Sequence, residues 1–220
     1  MTAASTLPRP PDELIDSARS WRGGGAVRPA LDLEAWVITE IRAADRPLSN
    51  YDFGLIADAR VAFLWCTEPY TKTGTVVLGT CQLGPPRGNA WSAVRQRAQL
   101  CEWFGEVPDF LVTLDAVFFE QCVREGQPAS ALAVVEHELY HCGRKLDREG
   151  DPAFGADGEP LWDLRPHDIE EFAGVYRRYG RDTPGTQAFV AAVEHVAEHG
   201  PDIAPASLDG LCGTCGRSVA

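Results

Sequence analysis

The spacing of apolar positions changes several times along the 220-residue chain, and each change predicts an element. LDLEAWVITEIRAAD (31–45) carries Leu33, Trp36, Val37 and Ile41 at helical spacing, with Asp32 placed to cap the helix. ARVAFLWC (59–66) and GTVVLGTCQL (74–83) read as strands across a polar loop that contains TEPYTKTG. NAWSAVRQRAQLCEWFG (89–105) returns to helical spacing, and the β-branched and aromatic run DFLVTLDAVFFE (109–120) reads as one long strand. ASALAVVEHELYHCG follows as a helix with Gly143 as its stop. Beyond a Gly- and acid-rich loop at 144–166, expected to frame a cleft, HDIEEFAGVYRRYG (167–180) and TQAFVAAVEHVAEHG (186–200) read as two more helices. Residues 1–30 are Pro-rich and then Gly-rich, and predict a weakly ordered arm with a short helix at 12–21. The expected organisation is therefore an arm (1–30), an α+β domain with a small sheet packed on helices (31–185), and a terminal helix with a tail (186–220).

Composition narrows the function classes. A hydrophobic share of 45 % and a charged share of 24 % are those of a soluble globule, and no apolar run reaches the roughly 20 residues that span a bilayer. The start has no apolar core of a secretory signal, so a reducing cytoplasm is expected, with the seven cysteines as thiols or metal ligands. A formal net charge of −12 argues against non-specific nucleic-acid binding, which needs basic residues to release counterions.

Candidate chemistry is concentrated in VVEHELYHCG (134–143). On a helix, residues four apart lie one above the other, so His137 and His141 can converge on one metal ion. Glu138 lies beside them and is placed to take a proton from water. A catalytic zinc wants three protein ligands and an open position. His167 is the next histidine downstream, and Asp168, Glu170 or Glu171 are the carboxylate alternatives. Donors for a developing oxyanion include Tyr140, Arg144, Tyr176 and Arg177, although Tyr176 falls on an apolar stripe that predicts core packing.

HELYHCG, the loop after it, HDIEEF and RYG resemble the phage metallopeptidase family, which is similar to the SprT-like zincins. DARVAFLWC and VVLGTCQL resemble that family's strands, so the likeness spans roughly residues 50–180. It implies a zincin-like fold, a zinc-dependent peptidase, His137, His141 and His167 as metal ligands, and Glu138 as the catalytic acid and base. It also implies a protein or peptide substrate and a phage or prophage-bearing cell. Glu136 departs from the pattern by placing a charge directly before the motif. A peptide substrate is expected to add as a strand along a free sheet edge, for which GTVVLGTCQL is the candidate.

The remaining histidines, His195 and His199, are again four apart, and Cys212 and Cys215 follow as a C-x-x-C turn. Together they read as a structural Cys2His2 zinc site, with a redox-active or disordered tail as the alternative. The remaining five cysteines read as buried thiols, and Cys142 as a possible stray ligand beside His141. Two other classes stay open: a DNA-associated protease, and a non-catalytic scaffold whose zinc only stabilises a protein-binding module. An intact Glu138 argues against the second.

Overall fold

The computed structural model describes residues 6–19, 25–72, 74–167, 184–204, 206 and 210–214. It divides into two compact units, Met1–Arg165 with Ala206–Ala220, and Pro166–Pro205. The first unit is α+β. Its elements in chain order are α1 (Asp12–Arg19), β1 (Val27–Pro29), α2 (Leu31–Trp36), β2 (Val61–Cys66), β3 (Thr71–Lys72), β4 (Thr75–Leu83), α3 (Ala90–Phe104), β5 (Phe110–Asp115), α4 (Ala116–Arg124), α5 (Pro128–Tyr140), β6 (Cys142–Arg144) and β7 (Trp162–Leu164). Within the second unit, α6 (Pro184–His199) realises the last predicted helix; residues 168–180 of the one before it lie outside the described residues. The first unit then closes with β8 (Leu211–Cys212).

The sheet is mixed, in the order β1-β2-β5-β4-β3, with β8 also on β4. β2 and β5 pair in parallel, while β1 and β4 flank them antiparallel. Both faces of this sheet are covered, which is why β2 and β5 read as continuous apolar runs rather than alternating ones. Phe63, Trp65, Phe110, Val112 and Leu114 face the larger core with residues of α2, α4 and α5. Ala62, Leu64 and Leu111 face the other way, onto Leu100 and Phe104 of α3.

Three expectations change. The run 109–120 is a strand and then a helix, because the Asp115 carboxylate accepts from the amides of Val117 (2.9 Å) and Phe118 (3.0 Å) and so caps α4. The β propensity of Val117, Phe118 and Phe119 yields to that cap and to the burial of Phe119 against Trp65, with ring centroids 4.7 Å apart. Part of the expected N-terminal arm is integral: Leu14 and Ile15 of α1 are buried in the core, and β1 is a sheet strand. Finally, β4 is not a free edge. β3 takes Thr75 and Val76, and β8 takes Val77 and Gly79, on the side away from β5. Smaller differences are local. Ala30, not Asp32, stands at the N-cap position of α2, with no side-chain cap, and the helix runs on into a π-helical stretch, Val37–Arg42. The chain leaves α5 directly into β6, so Gly143 lies in a strand, and residues 144–166 hold the end of β6, the connecting loop and β7 of a hairpin.

Substituting Asp115→Ala removes the α4 cap and is expected to destabilise the protein by about 1 kcal/mol. Urea unfolding should show a lower midpoint with an unchanged slope.

Candidate metal centre

α5 carries the centre, and its neighbours fix its position. On its outer side, Asn50 donates from Nδ2 to Glu136 (3.0 Å) and to the Tyr140 hydroxyl oxygen (3.1 Å). The Tyr140 hydroxyl donates in turn to Asp52 (2.7 Å), and its ring packs on Phe53 at 4.9 Å. This network accounts for Glu136, the charge before the motif: a half-buried carboxyl, raised by desolvation and held by Asn50. It also occupies Tyr140, whose phenol is pushed up to about 12 by burial. On its inner side α5 packs against β4 and β5, with α4 beside it.

Glu138 points inward and is fully buried. It fits only because residue 79 is glycine: a Cβ there would stand 2.9 Å from Glu138 Cγ and Oε1 and 3.0 Å from Val134 Cγ1. Its Oε2 accepts from the Thr214 hydroxyl at 3.2 Å, while Oε1 is buried with no hydrogen-bond partner among the described residues. Burial raises this carboxyl above its ordinary range, against the opposing pull of the Cys212 thiol, the His141 ring and the Thr214 hydroxyl. A carboxylate short of partners and short of water is a stronger base than one at the surface.

His137 and His141 stand one turn apart with ring centroids 5.1 Å from each other. The carbonyl of Arg165 lies 2.8 Å from His141 Nδ1, so Nδ1 carries the hydrogen and Nε2 presents its lone pair. Arg165 comes directly after β7 and its amide donates to the His141 carbonyl, so the β6–β7 hairpin orients this imidazole.

The third donor here is one that sequence reasoning had assigned elsewhere. Cys212 Sγ, brought by β8, lies 3.4 Å from His141 Nε2, and the donor atoms of His137, His141 and Cys212 all fall within 4.8 Å of one another. A tetrahedral zinc with ordinary bond lengths sets a nitrogen and a sulfur about 3.6 Å apart, so the spacing fits. The donor set, two imidazoles and one thiolate, suits zinc chemically. The orphaned Glu138 oxygen beside them is a second sign that a group belongs there.

His167 belongs to the second unit, as do His195 and His199. His195 Nε2 lies 3.0 Å from an Asp202 carboxylate oxygen, and the two imidazoles stack at 4.8 Å. Cys215, Asp168, Glu170, Glu171, Tyr176 and Arg177 lie outside the described residues. Arg144 is engaged by Asp58 at 3.2 Å and lies over the Trp162 ring at 4.5 Å. Cys142 is not one of the three grouped donors; its sulfur lies 3.7 Å from that of buried Cys81. Glycines on either side of Cys212 were the available signal for its placement, since they mark a chain that passes close to another backbone.

The model of the family described as "Putative phage metallopeptidase" matches residues 34–194. The chain belongs to this family. No curated protein and no solved structure gives a match. The family members are metallopeptidases by description, so a metal ion is implied, and the His137, His141 and Cys212 group is a place that could hold one. Among the described residues no helix is long and apolar enough to cross a membrane.

Gly79→Ala is expected to destabilise the protein by about 1–3 kcal/mol, because the new methyl group must displace Glu138 or move α5 off β4. Thermal unfolding measures the loss, and peptidase activity should fall with it.

Proposed function

We propose that the protein is a zinc-dependent peptidase of the zincin type, with Glu138 as general base. The observation that carries this reading is the Glu138 carboxylate, fully buried beside His137 and His141, with Oε1 lacking a hydrogen-bond partner among the described residues. A purely structural metal site has no use for such a group, and leaving it buried is costly. His137 and His141 hold the metal from one helix face. A third protein ligand completes a catalytic set, and His167 is the residue that the family resemblance nominates for it.

When bound, zinc supplies Lewis acidity at the scissile carbonyl and lowers the pKa of water toward about 7. Glu138 takes the proton of the attacking water and returns it to the leaving amine. The Arg165 carbonyl keeps His141 in the tautomer that can bind metal. The substrate is a protein or peptide in extended form, and the outer side of β4 could seat it only where β8 gives way, since β3 and β8 pair along that side.

Glu138→Gln keeps the size and hydrogen-bonding shape of the side chain and removes its basicity. Its kcat on an unfolded protein substrate is expected to fall by about 10²–10⁴-fold. Zinc content by elemental analysis should stay at the wild-type value, and undiminished cleavage by this variant overturns the assignment. His167→Ala should lower zinc content, whereas unchanged zinc moves the third ligand to another residue.

A further inference from the structure

A substrate strand needs three things free in this site: a coordination position on the metal, access of water to Glu138, and the outer side of β4. Residues 210–214 occupy all three. Cys212 places its sulfur among the metal donors, 3.4 Å from His141 Nε2. The Thr214 hydroxyl donates to Glu138 Oε2 at 3.2 Å. β8 runs parallel to β4 along Val77 and Gly79, the Gly213 amide donates to the Gly79 carbonyl at 2.7 Å, and Thr214 continues the contact to the backbone of Cys81. Glu138 and Cys212 are both fully buried in this arrangement, so the segment helps shield the base from solvent.

The seat is built for this segment. A Cβ on Gly210 would stand 2.4 Å from Leu78 Cγ, and one on Gly213 would stand 2.2 Å from Thr80 Cγ2 and 2.8 Å from Val77 Cγ1. Only glycine at both positions lets the chain lie this close to β4. A simple third ligand accounts for the sulfur of Cys212. It does not account for the hydroxyl on the base or for the strand that fills β4's outer side.

We infer that residues 210–214 are a self-inhibitory strap, in which Cys212 is a metal donor and β8 holds the position of the substrate strand. The inference rests on the peptidase reading of the site. Being part of the same chain, the strap acts at an effective concentration of about millimolar, so modest intrinsic affinity keeps it closed. With a metal bound, opening would exchange the Cys212 thiolate for water or substrate at that position and otherwise break only non-covalent contacts. Strap and substrate compete, so the apparent substrate affinity falls by the fraction of time the strap is open. Inhibition therefore raises KM and leaves kcat at saturating substrate unchanged.

The test compares full-length wild type, Cys212→Ala and Gly213→Val after loading with cobalt(II). Gly213→Val keeps every metal donor and expels the strap by sterics alone, so it stands in if Cys212→Ala folds poorly. The expected wild-type spectrum has a near-ultraviolet thiolate-to-cobalt charge-transfer band. Both variants should lose the band, keep the wild-type metal content, and cleave an unfolded protein with KM lower by about tenfold if the strap is open roughly a tenth of the time. Loss of metal in Cys212→Ala overturns the strap and makes Cys212 an indispensable ligand. A wild-type spectrum without the band also overturns it. A band lost with metal retained, but no cleavage by any form, supports the strap's hold on the metal and overturns the peptidase reading instead.

Discussion

The arrangement turns on one buried carboxylate. Placing Glu138 between α5 and β4 removes it from water, a change that costs several kcal/mol unless partners replace the lost solvent. Gly79 makes the space, Thr214 satisfies one oxygen, and the other has no hydrogen-bond partner among the described residues. Such a group persists only where the surrounding fold is stable enough to hold it. Here α5 is fixed on its far side by Asn50, Asp52 and Phe53, and on its near side by α4, β4 and β5. The helix has little freedom to withdraw the charge.

That constraint also sets the sheet. β4 lies close enough to α5 for Gly79 to meet Glu138, and it pairs with β5 on its inner side. The outer side of β4 then becomes the natural seat for an extended chain, and the C-terminal segment takes it. The β6–β7 hairpin meets the same helix at its end, where the Arg165 carbonyl fixes the His141 ring. Helix, hairpin and terminal strand thus bring a donor, its orienting carbonyl and a thiol to one point.

The polar groups around α5 divide into two sets by what they touch. Glu136 and Tyr140 are spent on holding the helix against residues 50–53, although they flank the motif. His137, Glu138 and His141 meet Cys212 of β8 and Thr214 just beyond it. A charge directly before the motif is thereby compatible with the site, because it is turned about 100° around the helix from its neighbour.

Much of this was legible locally. A helix carrying His137, Glu138 and His141 follows from apolar spacing and from the i, i+4 rule, which depend only on neighbours along the chain. The strands β2 and β4, the helix α3, the α+β class and the family resemblance were legible for the same reason. What lay beyond local reading involves partners far apart in sequence. Cys212 is 71 residues from His141, and no spacing rule links a C-terminal C-x-x-C to a helix in the middle of the chain. The sequence paired it with its nearer histidines, His195 and His199, whereas strand pairing to β4 sets it beside His141. Likewise, the switch from strand to helix at Asp115 was hidden by β-branched and aromatic residues whose preference is weaker than a cap and a buried ring contact. The sequence by itself determined which residue types could do the chemistry and the helix that carries them. Only the tertiary structure decided which thiol meets them, because register between distant strands is set by long-range packing and backbone pairing rather than by proximity in the chain.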